Sequence, residues 1–258
     1  LDSGKYLVEG DDRPYKGWKE GGHGMVDMNK AIIESSDVYF YSLAYDLTIK
    51  NLAPFLEKFG FGKQSGLTKN EGTGILPSRK WKLGYIGEPW FKGDTINMGI
   101  GQGYITATPL QIASAYSVLA NKGEFVQPRI IEKIGEENTK IVIKKNISLN
   151  DDKNWKRIEK SLLGVVEAKN GTANNIYDKN IRIAGKTGTA QVKSIIETEY
   201  ELLRIDKSLR DHALFVGYGP VEDPKLVVVA IIENGESGSA VAAPLVRRAI
   251  NLYSNNEK

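Results

Sequence analysis

From Val26 to about Ile49 the apolar side chains return at threes and fours, through Ile32, Ile33, Val38, Phe40, Leu43, Ala44 and Leu47. That spacing predicts an amphipathic helix. A second, short helix is expected over 54–59, closing at Gly60 as a helix with a left-handed cap does. Thr108, Pro109 and Gln111 supply an N-cap, a first-turn proline and the third-position partner of a capping box. The helix they open is predicted to reach Asn121 or Lys122 and stop before Gly123. Asp151 or Asp152 can cap another that runs to about Lys169, before Gly171. A last helix is expected from about Ala242 to Tyr253. Elsewhere the period is shorter. Residues 125–145, with Pro128 at one end and the alternation of KIVIKK, predict paired short strands. After the helix ending near Lys169 the period drops to two, and 181–192, 213–218 and 226–233 read as strands. Pro220 and Pro224 break the pairing between the last two.

The remaining stretches carry turn signals. Residues 1–24 read as ordered but irregular, and 60–105 as glycine-rich loop with little repetitive structure. The segment 193–211 is long for a connection between strands and is charged, with Leu, Ile and Tyr interspersed. It reads as a solvated flap, the alternative being a functional lid. No internal repeat or linker divides the chain, which is expected to form a single domain over 1–258.

Composition narrows the function classes. Lys plus Arg number 35 and Asp plus Glu 32, a difference of +3 over 258 residues. This gives no support to a nucleic-acid face, which needs a concentrated positive excess. Hydrophobic residues at 41% and charged residues at 26% are those of a folded globular chain. Cysteine is absent, which removes disulfides, cysteine metal sites and a thiol nucleophile. His23 and His212 lie too far apart for a helical zinc motif. The longest apolar stretch, 226–232, suits a buried strand and is too short for a bilayer. The chain starts at Leu1 without a signal-peptide pattern, so its start is expected to be a cut boundary within a longer protein.

Two short motifs carry chemistry. Lys186-Thr187-Gly188-Thr189 is delivered by an apolar strand, and the small residues around it let a substrate backbone approach the strand edge. Ser35-Ser36-Asp37 falls in the middle of the first expected helix. A mid-helix serine is ordinarily a tolerated polar position. Two serines and an aspartate in succession, flanked by Ile32, Ile33, Val38 and Phe40, mean that the helix breaks there or that the group faces a site. Other residues have plainer readings. His23, in Gly-Gly-His-Gly, is a turn histidine or, with Asp27 its only close acidic follower, part of a metal site. His212 starts a strand and faces either a site or an edge. Tyr39, Phe40, Tyr41 and Tyr45 read as core packing before a ligand platform.

Taken together, GWKEGGHGMVDMNKAIIESSDVYFYSLAY, GIGQGYITATPLQIASAYSVLANKG, AGKTGTAQV and DHALFVGYGPVEDPKLVVVAIIENG, in that order, resemble the transpeptidase domain of class B penicillin-binding proteins, in their elongation-specific penicillin-binding protein 2 branch. The Lys-Thr-Gly triplet belongs to that group's signature set. The resemblance implies a mixed α+β fold, the penicillin-binding and serine β-lactamase-like fold, with a five-stranded antiparallel sheet flanked by helices. It implies a serine acyltransferase that cross-links peptidoglycan stem peptides and is inhibited by β-lactams. Ser35 is then a proton-passing catalytic serine and Lys186 a catalytic cation that holds it. Asp37 orients the substrate amide. The hydroxyls of Thr187 and Thr189 bind the substrate carboxylate beside Gly188, and the Thr189 N–H is an oxyanion-hole donor. No cofactor or metal is implied. The expected partners are a RodA-type glycan polymerase and the scaffold MreC, at an inner membrane with the catalytic domain facing the periplasm.

The chain departs from that pattern at one point. None of its serines has a lysine three positions later, so it lacks the Ser-x-x-Lys nucleophile. The expectation is that the nucleophile and the N-terminal part of the domain lie upstream of Leu1, that 1–258 is the C-terminal part of the domain, and that this part alone does not acylate. The rivals are a septal paralogue, a class D-like β-lactamase or penicillin-sensor domain, which differs in releasing the drug, and a non-catalytic scaffold.

Overall fold

In the computed structural model, which describes residues 1–11, 13–191 and 207–256, the apolar period that begins at Val26 does not form one helix. Helix α1 (Met28–Glu34) stops at Ser35, and α2 (Asp37–Lys58) begins two residues later. Ser35 adopts φ 58°, the left-handed conformation usually left to glycine at a helix end. The Ser36 N–H then donates 2.9 Å back to the Ala31 carbonyl, the six-to-one bond of a Schellman ending. Ser36 also opens α2, because its Oγ accepts from the Tyr39 N–H at 3.3 Å. Asp37 follows in the first turn, where the helix dipole favours a negative charge. The α2 span contains a second break at Thr48 (φ 60°, ψ 160°), and the short helix expected over 54–59 is its final part.

Contacts divide the chain into two compact units. One comprises Leu1–Ala31 and Ser36–Trp155; the other comprises Ile32–Ser35 and the chain from Lys156 onward.

In the first unit the N-terminal segment is irregular apart from β1 (Lys5–Tyr6) paired with β2 (Tyr15–Lys16). Tyr6, Tyr15 and Tyr45 pack around Val8, Val38, Tyr41 and Ile96, so Tyr41 and Tyr45 of the aromatic run are core, as the sequence suggests, while Tyr39 and Phe40 are half-buried outside this cluster. The loop expected over 60–105 is a correction. It contains α3 (Arg79–Tyr85) and α4 (Lys92–Gly99). Glycines read as loop signals have a packing role there. A Cβ on Gly99 would lie 2.5 Å from the Ala44 Cβ and 2.8 Å from the Phe40 carbonyl, so glycine is what lets α4 close on α2. Helix α5 (Pro109–Ala120) has the expected Thr108–Gln111 capping box. The buried Gln111 amide also donates to the carbonyls of Gly60 (3.3 Å), Lys63 (2.9 Å) and Thr73 (2.7 Å), fastening the glycine-rich loop. The expected short strands are β3 (Glu124–Val126) with β6 (Ile143–Asn146), and β4 (Lys133–Ile134) with β5 (Glu137–Asn138).

Helix α6 (Lys153–Glu167) leads from Trp155 into the second unit. There β7 (Ala184–Ala190), β8 (His212–Gly219) and β9 (Leu226–Ile232) form an antiparallel sheet in the order β7-β8-β9. The resemblance implies five strands; among the described residues this sheet has three. Ala213, Phe215, Val216 and Tyr218 make β8 the buried centre. Helix α7 (Ala243–Asn256) buries Val246 and Ile250 and packs against β8 and β9, and Val165, Val166 and Ile183 are also buried in this unit. The strand expected over 181–192 begins at Ala184, and its last residue, Val192, lies outside the described residues. So does most of the expected flap, of which Lys207–Leu209 forms a single 3-10 turn.

Candidate active site

Two elements of the second unit meet at Ser35. The end of α1 turns the serine out through its left-handed φ, and β7 presents Lys186 from the facing strand. The Lys186 Nζ donates to the Ser35 Oγ at 2.8 Å. The same ammonium reaches the Thr187 carbonyl at 3.2 Å and the Thr187 Oγ1 at 3.4 Å. Because Nζ is the donor, the serine's own hydroxyl proton points away from the lysine. A cation fixed on a hydroxyl oxygen stabilises any negative charge that develops there, which is what proton relay through a serine requires. Of the sequence alternatives at 35–37, the helix does break at Ser35, and the Ser35 hydroxyl meets Lys186.

The register explains why β7 holds these groups in place. Lys186 pairs with Val216, Thr187 with Phe215, Gly188 with Leu214 and Thr189 with Ala213 along the central strand. Gly188 leaves room beside Leu214, whose Cβ would lie 3.1 Å from an added methyl. Thr189 is exposed.

Thr187 is committed further. Its Oγ1 shares a 2.9 Å hydrogen bond with the Thr172 Oγ1, and the Thr172 N–H donates to the Ile33 carbonyl at 3.2 Å, two residues before Ser35. Glu34, buried, accepts from the Asn170 side chain. The 170–172 segment thus ties the end of α1 to β7, and sequence reasoning did not single it out. Its available signal was Gly171, where a Cβ would sit 2.4 Å from the Val165 carbonyl, so that only glycine fits.

Asp37 belongs to the first unit, and there its Oδ2 accepts from the Trp18 N–H at 2.8 Å. The other two candidates have structural partners. His23 is buried in its turn, with Nδ1 2.7 Å from the Asp2 Oδ2. His212 Nδ1 accepts from the Asn234 N–H at 3.0 Å, at the turn after β9. Burial alone would raise the Asp2 carboxyl, but hydrogen bonds from Ser36, Gly4 and His23 outweigh it and hold the group below its ordinary value. Among the described residues no group of three or more His, Asp or Glu is placed to hold a metal.

Residues 1–251 match the family described as penicillin binding protein transpeptidase domain. The peptidoglycan D,D-transpeptidase MrdA of Haemophilus influenzae is 41% identical over 262 residues, covering 99% of this chain and 40% of that protein. Pseudomonas aeruginosa PBP2, solved in complex with WCK 5153, superposes with a TM-score of 0.87 at 38% identity, over 98% of this chain and 53% of the other. Helicobacter pylori PBP2, solved in complex with MreC, gives 0.81 at 30% identity over 100% of this chain and 45% of the other. The chain therefore spans about 40% of the length of the curated relative it matches.

Proposed function

The chain belongs to the penicillin-binding protein transpeptidase family, and from that premise we propose that it works as the C-terminal part, 1–258, of one peptidoglycan D,D-transpeptidase domain that serves cell-wall elongation. The observation that carries the proposal is the 2.8 Å bond from Lys186 Nζ to Ser35 Oγ, made by two motifs far apart in sequence.

The substrates are peptidoglycan stem peptides. A serine nucleophile attacks the D-Ala-D-Ala carbonyl, the terminal D-Ala leaves as the amine, and the acyl group passes to an amine of a neighbouring strand. No Ser-x-x-Lys pair occurs in the 258 residues, so this reading places the nucleophile outside them. Ser35 hands its hydroxyl proton to the leaving amine and is reprotonated from the nucleophile's side, while Lys186 keeps the alkoxide character of Oγ low in energy. The Thr187 and Thr189 hydroxyls receive the terminal carboxylate, and Lys186 adds its charge. The Thr189 N–H is one oxyanion donor, a group worth about 10² to 10³ in rate. Asp37, fixed by Trp18, holds the substrate amide.

β-Lactams acylate the same serine. The proposed partners are a scaffold of the MreC type and a RodA-type polymerase, at the periplasmic face of the inner membrane. The H. pylori complex with MreC supports the first. No helix among the described residues is long and apolar enough to cross a membrane.

The test is covalent labelling of the full-length protein by a fluorescent penicillin, followed by intact mass. An adduct stable for hours is expected. One released within seconds means a hydrolase, and none means a scaffold.

A further inference from the structure

Asp2, His23 and Ser36 form a buried cluster to which the reaction proposed above assigns no role. The Asp2 Oδ2 accepts from the Ser36 Oγ at 2.6 Å and contacts the His23 Nδ1 at 2.7 Å, while its Oδ1 accepts from the Gly4 N–H at 2.8 Å. Ser36 is fully buried, and the side chains of Asp2 and His23 are each 3% exposed. The three carry residue types known from nucleophilic catalysis, but the arrangement is different. The carboxylate lies between the other two, and no substrate can reach a fully buried serine.

The surroundings are built to hold this carboxylate. Asp2 and Gly24 exchange backbone hydrogen bonds at 2.8 and 2.9 Å. A Cβ on Gly22 would lie 2.4 Å from the Asp2 carbonyl and 2.5 Å from its Oδ1, so only glycine permits the approach. Lys30 Nζ donates to the His23 carbonyl at 2.6 Å, and the Trp18 ring stands edge-on to the imidazole at 5.6 Å. These contacts account for the Gly-Gly-His-Gly run, which the catalytic reading leaves unused.

Ser36 is the residue where this cluster meets the chemistry. It caps α2, and it is bonded through the backbone to Ser35, whose left-handed φ persists only if its neighbours impose it. We propose that Asp2 and His23 are positioning residues that lock Ser36 and thereby hold Ser35 in the conformation that meets Lys186. The proposal rests on the catalytic role given to Ser35. The lock runs through the serine hydroxyl, because one oxygen donates to Asp2 and accepts from the Tyr39 N–H, fixing both the rotamer of Ser36 and the start of α2.

The experiment uses the full-length protein and a fluorescent penicillin, with binding and acylation steps separated by stopped-flow and active sites counted by adduct yield. Asp2→Ala and Ser36→Ala are expected to slow acylation per active site roughly ten- to a hundredfold, the scale of a small misplacement of a reacting group, with initial binding little changed. His23→Ala should slow it less. Ser36→Thr, which keeps the hydroxyl, should restore most of the rate. Asp2→Asn, of equal volume, carries the test if Asp2→Ala fails to fold. Thermal melting that falls while acylation per active site stays at the wild-type rate overturns the proposal, since a purely structural role does just that. Ser35→Ala and Lys186→Ala separate the two readings. If those acylate normally, the assigned site is wrong; if they are slow and the cluster variants are not, only the positioning role falls.

Discussion

Ser35 and Lys186 are separated by 151 positions in sequence and by 2.8 Å between Oγ and Nζ. The contact needs a broken helix on one side and a tightly paired strand on the other. Each half was readable as a motif, and neither says by itself that the two meet.

Removing either partner should therefore cost activity and little else. In the full-length protein, Ser35→Ala and Lys186→Ala are each expected to slow acylation by a fluorescent penicillin about 10²- to 10⁴-fold, the span of a lost proton-transfer group. The double variant should be barely slower than either single one, because the two act as a unit. Additive losses would show that they act separately.

The left-handed φ of Ser35 gives a second, independent test. A non-glycine residue there costs about 1 kcal/mol. Ser35→Gly should thus unfold at a higher denaturant concentration than Ser35→Ala, by about 1 kcal/mol, although both lack the hydroxyl and acylate equally slowly. Equal stabilities would argue that the backbone at 35 relaxes to negative φ.

Gln111 reaches three loop carbonyls with one amide nitrogen and accepts from the Thr108 N–H at 2.9 Å. Gln111→Ala removes those bonds beneath the glycine-rich loop, where the Gly60 carbonyl keeps a 3.4 Å bond from the Lys63 N–H. A loss of about 2 to 4 kcal/mol is expected from urea unfolding, with hydrogen exchange rising first between 60 and 74. Protection there that stays at the wild-type level would sink this account of the loop.

Glu71 makes the acid limb of stability predictable. Its carboxylate accepts from the Ser65 N–H at 2.7 Å and the Thr68 N–H at 2.6 Å, and hydrogen bonds from Ser65 and Thr68 lower its pKa to about 2. A carboxylate depressed on folding stabilises fully above its unfolded value, near 4.3 (roughly), and loses that contribution as pH falls towards 2. Glu71→Gln should lower stability at neutral pH and flatten the decline between those values. Parallel wild-type and variant curves would contradict the assignment.

How far the sequence could be read depended on whether the deciding interaction was local. The α5 cap needed only Thr108, Pro109 and Gln111, and it formed as written. The three strands after residue 180 followed from a period of two. The glycines of 60–105 misled, because Gly99 is used for helix-on-helix contact with Ala44 and Phe40, a relation invisible in a local window. Ser35 was ambiguous for the same reason, since its backbone is fixed by Ala31 on one side and Ser36 on the other. Thr172 gave no motif at all; its meaning comes from Thr187, across the fold.

The packing under β7 also bears on where the proposed drug target could change under antibiotic pressure. At Gly185 a methyl would lie 2.6 Å from the Phe215 ring and 2.7 Å from the Val216 carbonyl, and at Gly238 it would lie 2.2 Å from the Leu214 carbonyl and 2.8 Å from that of Gly188. Substitutions there displace backbone, and with it the register that presents Lys186. Under the proposed function, heritable change in drug response is thus channelled to the exposed Thr189 side chain and to the loops, and away from the glycines that hold the register of β7.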